Sequence, residues 1–196
     1  NPAGIDSGHE WLEIVNTSTS TSYALNNGWR FNDGSNHLLS VIQGDGSLSA
    51  GQYAVIVENS EVFLQDYPNF QGILIDTAMS LANSQDTLSL SIDGGLTFFA
   101  TTAYQAAWGA SDNGYSLERI NLSTGDQAES WQQSFVASGT PGQINSQAPH
   151  QDEEEVIATN SSPIVEIGSD VSARVGELIS FTASATDPDG GELSFV

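Results

Sequence analysis

Helical periodicity is nearly absent from this 196-residue chain, and short β-rich runs recur instead. Clusters of Gly, Asn, Asp and Ser separate the runs, which is the pattern of two packed β-sheets. The strand prediction rests on residues 10–16, 29–32, 38–43, 52–58, 87–92, 96–102 and 116–121. We therefore expect an all-β protein with the architecture of a β-sandwich.

Two local patterns refine this expectation. Residues 88–92 alternate apolar and polar side chains, so one face of this strand is buried and the other is wet. Asp93, Gly94 and Gly95 then lead into an apolar run, and Gly accepts the positive φ that hairpin turns require. A short helix is predicted over residues 60–67, with Ser60 as its N-cap.

The charge balance excludes several classes of partner. The chain carries 25 acidic residues but only three basic ones, and its net charge is −22. Three cations cannot neutralise a run of phosphates, so nucleic acids and anionic lipid surfaces are excluded as partners. Cysteine is absent, which rules out disulfides and thiolate metal sites. Since no run approaches the roughly 18 apolar residues that span a bilayer, we expect no membrane insertion.

Composition changes near Thr140 and predicts a division into domains. Residues 140–149 lack periodicity, and an acidic run follows at 150–155. We predict a sandwich over 1–145, an acidic and polar linker over 146–162, and a second sandwich that begins at 163. Strands are expected at 164–167 and 178–185, but about 35 residues cannot bury an independent core. We therefore expect 163–196 to be the truncated start of a domain in a larger, exported protein.

Six sequence landmarks follow one another along residues 4–145. They are Gly8-His-Glu-Trp-Leu-Glu-Ile-Val-Asn16, Leu25-Asn-Asn-Gly-Trp-Arg-Phe-Asn-Asp33, Leu48-Ser-Ala-Gly-Gln-Tyr-Ala-Val-Ile56, Leu81-Ala-Asn-Ser-Gln-Asp-Thr-Leu-Ser-Leu90, Gly114-Tyr-Ser-Leu-Glu-Arg119 and Gly139-Thr-Pro-Gly-Gln-Ile-Asn145. In this order they resemble a lamin-tail domain, the immunoglobulin-like module of nuclear lamin tails that also occurs in exported bacterial and archaeal proteins. Gln85 stands where that family usually has Gly, and the family's first strand would precede Asn1.

The resemblance implies an immunoglobulin-like sandwich with a non-catalytic interaction or scaffolding role in an exported, multidomain cell-surface protein. The tail, with Thr186-Asp-Pro-Asp-Gly190, resembles the start of a bacterial Ig-like or PKD-like repeat. We expect a protein or surface glycan as partner and leave the oligomeric state open. The alternative function is a carbohydrate-binding accessory module of an exported hydrolase. Exposed, coplanar aromatic rings would favour that alternative, and burial of all four tryptophans would remove it.

The sequence does not favour an enzyme. Histidine occurs only as His9, His37 and His150, and nucleophile-elbow, zinc-protease and phosphate-loop motifs are missing. A two-carboxylate mechanism would need two converging acids with perturbed pKa values in a cleft. We predict no catalytic residue and no required cofactor.

The four tryptophans divide into two pairs. Trp11 and Trp29 lie in strand runs, where we expect them to pack the two sheets together. Trp108 and Trp131 lie near loops, so core packing and a stacking platform for sugars both stay open for them.

Calcium is the metal that the sequence favours. Asp187, Asp189 and Glu192 place hard oxygen ligands around a Pro- and Gly-shaped turn, and the linker acids Glu153, Glu154 and Glu155 could complete the shell. A plain turn with solvated acids is the alternative. Residues 6–10 and 112–114 are weaker candidates of the same kind. Asn-x-Ser/Thr triplets begin at Asn16, Asn121 and Asn160.

Overall fold

The computed structural model describes residues 6–110, 113–122, 124–148, 163–180 and 182–188. The chain divides into two compact units, Asn1–Pro149 and His150–Val196, with the boundary inside the predicted linker. Strands predominate in the described residues, which confirms the all-β class. No helix among them is long and apolar enough to cross a bilayer.

The first unit contains twelve described strands and one described α-helix. The strands are β1 (Trp11–Val15), β2 (Tyr23–Ala24), β3 (Arg30–Asn32), β4 (Asn36–Leu38), β5 (Ser40–Gln43), β6 (Ser47–Leu48), β7 (Tyr53–Val57), β8 (Ile73–Asp76), β9 (Gln85–Ser91), β10 (Ala100–Gln105), β11 (Tyr115–Arg119) and β12 (Trp131–Ala137). The helix α1 spans Ser60–Asp66, and two 3-10 turns span Ala106–Trp108 and Ala128–Ser130.

These strands form two larger sheets and two small ribbons. One sheet has the order β1-β7-β8-β5 and the other the order β10-β9-β3-β4. The ribbons are β2-β6 and β11-β12. Pairing is antiparallel except between β7 and β8, where Ala54 lies opposite Ile73 and Ile56 opposite Ile75 in a parallel register. Parallel neighbours need a crossover connection, and α1 lies in the segment that supplies it.

The hydrophobic core lies on both faces of the β1-β7-β8-β5 sheet. One buried cluster takes side chains from both four-stranded sheets, including Phe31, Leu90, Ile56 and Ile75. A second cluster lies between the opposite face and the helix region, and its buried members are Val55, Val57, Phe63, Phe70 and Leu74. Since β7 and β8 are covered on both faces, their sequences are continuous apolar runs rather than alternating ones.

The predicted helix is confirmed, but the predicted cap is wrong. Asn59 has an extended backbone, and its side-chain oxygen accepts hydrogen bonds from the amides of Glu61 at 3.0 Å and Val62 at 3.1 Å. Ser60 already lies inside the helix, and its own amide donates to Asp76 at 2.9 Å. The N-cap position therefore precedes the predicted one by a single residue.

The predicted hairpin forms between β9 and β10, from the Ala100–Leu90 pair to the Gln105–Gln85 pair. The predicted strand over 96–102 is wrong in its first half, because β10 begins only at Ala100. Residues 92–99 form a loop rather than a tight turn, and the contacts that hold it are described below. Strands β2, β6, β8 and β12 lie outside all the predicted runs.

The second unit is described in two pieces. Strand β13 (Ile164–Ile167) pairs antiparallel with β14 (Ala183–Thr186), so the second predicted strand begins later than expected. Within the described part of this unit, no residue is buried, and Val175 and Leu178 are fully exposed. A two-stranded hairpin with exposed apolar side chains forms no core of its own.

Candidate functional site

The loop between β9 and β10 presents an apolar surface. Residues 92–99, here called the apolar loop, carry Leu96 with 85% of its surface exposed, Phe98 with 46% and Phe99 with 49%. Ile92 is also exposed. A cluster of large apolar side chains exposed on a protein surface marks an interaction site more often than single, scattered ones do.

Asp93 holds the apolar loop in one conformation. Its carboxylate accepts hydrogen bonds from the Ser91 hydroxyl at 2.6 Å and from both the hydroxyl and the amide of Thr97, at 2.6 and 2.9 Å. It also accepts one from the Leu96 amide at 3.0 Å. Hydrogen bonds from the Ser91 and Thr97 hydroxyls keep the pKa of Asp93 well below its ordinary value. The carboxylate is therefore charged at neutral pH and fixes the loop that displays Leu96.

The base of the apolar loop rests on the core. Phe99 makes an edge contact with Trp29, with centroids 5.5 Å apart, and stacks on Tyr23 at 6.4 Å. At the other end, the Gly94 amide donates to Gly28 at 2.8 Å, and Asn36 donates to the Gly94 carbonyl. Gly95 has a φ of +93°, and a Cβ there would lie 2.4 Å from the Asn36 amide nitrogen. These contacts attach the loop to the segment that contains Gly28 and to β4.

Sequence reasoning missed the apolar loop because it placed Leu96 and Phe98 in a strand. The available signal was the pair of adjacent apolar residues Phe98 and Phe99, which breaks the period-two alternation of a half-buried strand. The side-chain acceptor Asp93, just ahead of two glycines, was the second signal.

The tryptophans only partly follow the prediction. Trp29 is buried in the cluster shared by the two sheets, as expected. Trp11 does not lie between the sheets, because it packs at the helix-covered face, with edge contacts to Phe63 and Tyr67 at 6.3 and 6.0 Å. Trp108 and Trp131 are half-buried and stack on each other at 6.3 Å with an interplanar angle of 26°. The Arg119 guanidinium lies 5.5 Å from the Trp131 centroid.

A half-buried carboxylate, Glu13, and a buried one, Glu118, lie close together in the first unit. Glu118 of β11 is only 3% exposed, and Glu13 of β1 lies near enough for the two charges to repel. Burial first, and then the charge of Glu118, raises the pKa of Glu13 to about 7. Both carboxylates accept hydrogen bonds from residues 140–147. Residues 140–147 therefore supply hydrogen-bond donors to both carboxylates.

A second group of acids surrounds Glu10. Burial, together with repulsion from Asp6 and Glu58, raises the pKa of Glu10 to about 7, although the Leu81 amide donates to it at 2.9 Å. Glu58 accepts from the Gly8 amide. His9 contacts the Asp66 carboxylate at 2.7 Å. Of these acids, Asp6 and Glu10 belong to the weaker candidate site at residues 6–10, and the described partner of the Glu10 carboxylate is a backbone amide.

The predicted calcium site falls mostly outside the described residues. Asp187 directly follows β14, whereas Asp189 and Glu192, like the linker acids 153–155, are not described. Asp112 of the 112–114 candidate is also outside the description. Over the described ranges, no group of three or more metal-ligating side chains converges. Calcium binding at Asp187, Asp189 and Glu192 stays a prediction.

Asn16 has a structural role. Its side-chain amide is buried and donates to the Thr21 and Leu48 carbonyls at 2.8 and 3.0 Å, and its oxygen accepts from the Ser18 amide. These bonds fix the turn after β1. The folded first unit therefore offers no free amide at Asn16 for glycosylation.

Comparison with known proteins identifies no relative. No family model, no curated protein and no solved structure matches this chain.

Proposed function

We propose that the first unit is a non-catalytic interaction module that binds a protein partner through the apolar loop. The observation that carries this proposal is the exposure of Leu96, Phe98 and Phe99 on a loop held by four hydrogen bonds to Asp93. Apolar and aromatic side chains held in place before binding lose little entropy in a complex. Because the loop is already ordered, little of the free energy gained by burying its apolar side chains is lost to ordering it.

Charge narrows the chemistry of the partner. With a net charge of −22, the chain repels other acidic surfaces and attracts basic ones. The partner that fits is a protein with an apolar pocket for Leu96 and Phe98 and a rim of Lys and Arg. The same charge, with three basic residues in all, opposes nucleic acid as a partner.

The lamin-tail resemblance supports an immunoglobulin-like sandwich as the finer description of the fold. Its support is the order of the six landmarks together with two sheets that share a core. The parallel β7–β8 pair departs from the wholly antiparallel sheets of that fold. On the same resemblance we propose that the module belongs to an exported, multidomain cell-surface protein.

The test compares two single variants of the full chain. Leu96→Asp places a charge at the centre of the apolar loop, and Phe135→Asp places one at a comparably exposed position on β12, at 75% exposure. Each protein is cross-linked to intact surfaces of the cells that produce it, and the recovered partner is titrated in vitro. We expect Leu96→Asp to weaken binding at least tenfold and Phe135→Asp to leave it within about twofold. Equal binding by all three proteins would disprove the role of the loop.

Glycan binding is the second candidate, favoured by the half-buried stack of Trp108 and Trp131. Sugar rings bind to flat aromatic faces, so this stack is the place where a neutral oligosaccharide would bind. Calorimetric titration with neutral oligosaccharides, comparing Trp108→Ala with Phe135→Ala, tests it. Loss of binding in the tryptophan variant alone supports a glycan site, and the absence of any heat change excludes it.

A further inference from the structure

Residues 138–147, here called the strap, cross the carboxylate pair and join three parts of the first unit. The Tyr67 hydroxyl of the helix region donates to the Ser138 carbonyl at 2.6 Å. The Gly142 amide donates to Glu13 of β1. The Ser146 hydroxyl and the Gln147 amide donate to Glu118 of β11, at 2.8 and 2.9 Å. Ser146 and Gln147, placed by the sequence in the linker, are thus bound to the first unit.

Glycines allow the strap to lie this close. A Cβ on Gly139 would lie 2.5 Å from the Ser116 hydroxyl oxygen and 3.2 Å from the Trp11 ring. A Cβ on Gly142 would lie 2.8 Å from the Phe70 ring. Both residues have a φ of +80°, a conformation that other residues adopt only with strain.

The strap is held by polar contacts more than by apolar burial. Its internal hydrogen bonds join the Gln143 amide to the Thr140 carbonyl and the Thr140 hydroxyl to the Ile144 carbonyl, and the segment contains no strand. Its large apolar side chain, Ile144, is 62% exposed. Segments with few buried apolar contacts open locally at a lower free energy than the core.

No described cation balances the two acids beneath the strap. The described ion pairs are His9–Asp66, His37–Asp33 and Arg119–Asp126, and none includes Glu13 or Glu118. The titratable groups that act on Glu13 are Glu118 and, from β7, Tyr53, whose pKa is raised by burial and by the Glu13 charge. Arg119 follows Glu118 in sequence but donates to the Thr124 carbonyl. Two negative charges would therefore share a covered site.

We propose that the strap is a charge-operated clasp, closed while Glu13 holds a proton and open when Glu13 is ionised. Closing the strap removes water from both acids, and for Glu13 this loss of hydration outweighs the hydrogen bond from Gly142, so ionisation of Glu13 favours the open form. Opening restores water to both carboxylates and separates the strap amides from them. It also releases ten residues just ahead of the second unit, about 35 Å of extended chain.

Hydrogen exchange of the full chain tests the clasp. Exchange is measured by mass spectrometry at about pH 5.5 and about pH 8.5, on either side of the Glu13 pKa, and corrected for intrinsic rates. We expect the strap to lose protection at the higher pH, by up to about tenfold per unit above the pKa of Glu13. Residues of β7 must stay protected at both values, which separates strap opening from global unfolding.

The Glu13→Gln variant provides the decisive comparison, because Gln keeps an acceptor for the Gly142 amide but cannot ionise. Its strap should be protected equally at both pH values. The matched control is Glu129→Gln, an exposed acid outside the site, which should behave like the unmodified protein. Ser146→Ala, which loses one bond to Glu118 and one from the Phe135 amide, should lower protection at both pH values and keep the pH dependence. Strap protection that does not change with pH, or a dependence that persists in Glu13→Gln, would overturn the proposal.

Discussion

Gly139 shows how strongly one backbone position depends on its surroundings. It has a φ of +80°, and a Cβ would meet Ser116 and Trp11, whereas Gly51 has a φ of +72° and open space around it. Gly139→Ala combines backbone strain with overlap, and Gly51→Ala carries the strain alone. We expect Gly139→Ala to lower the free energy of unfolding by about 1–3 kcal/mol more than Gly51→Ala does. Urea denaturation of the two variants measures this difference, and equal losses would contradict the close packing of the strap.

Asp93 is the residue on which the order of the apolar loop depends. Asp93→Ala removes four hydrogen bonds, so the amides of Leu96 and Thr97 should exchange with solvent much faster. The core should be unaffected, because the carboxylate lies at the surface. Asp45→Ala is the control, since Asp45 accepts a single bond, from the Ser47 amide. Amide exchange followed by NMR checks the prediction, which fails if Leu96 and Thr97 exchange at unchanged rates.

At the scale of elements, the start of α1 distinguishes two neighbouring residues. Asn59 accepts two helix amides, whereas the structure assigns no cap bond to the Ser60 side chain. Asn59→Ala should therefore cost about 1 kcal/mol of unfolding free energy, and Ser60→Ala should stay within about 0.5 kcal/mol of the parent. Thermal and urea unfolding of both variants provide the measurement. A larger loss of stability in Ser60→Ala than in Asn59→Ala would instead identify Ser60 as the N-cap.

At the scale of the whole molecule, two half-buried acids set a pH dependence of stability. Burial raises the pKa values of Glu13 and Glu10 from 4.5 to about 7. A folded-state pKa above the unfolded value gives stability that is complete below pH 4.5 and is lost as pH rises through 7. Glu13 contributes at most about 3 kcal/mol, and the more exposed Glu10 contributes less because solvent screens it.

Asp33 acts in the opposite direction. Burial raises its pKa, but hydrogen bonds from the Ser80 and Ser35 amides and from His37 outweigh burial, so the pKa is lowered below 3.8. Its contribution is present above that value and is lost in stronger acid. We therefore expect the urea midpoint to be highest in mildly acidic solution and to fall towards pH 8. Glu13→Gln should reduce the fall of the urea midpoint towards pH 8. A midpoint that rises between about pH 5 and about pH 8 would refute the raised pKa of Glu13.

The sequence alone determined the class of the protein and many of its local elements. Period-two alternation located β9, apolar runs located β7, and a polar start followed by apolar residues located α1 within one residue of its cap. These signals are local, because strand alternation and helix capping involve residues a few positions apart. The acidic composition likewise predicts that nucleic acids and anionic lipid surfaces are not partners.

Only the tertiary structure decided which strands pair, what covers the central sheet and which residues meet at the sites. The parallel β7–β8 pair depends on a crossover, and Glu13 meets Gly142 across 129 positions of sequence. The apolar loop was misplaced because Leu96–Phe99 has strand-forming residues, yet the four bonds to Asp93 hold it out of the sheet. Contacts between distant residues depend on packing and burial, which no short pattern encodes.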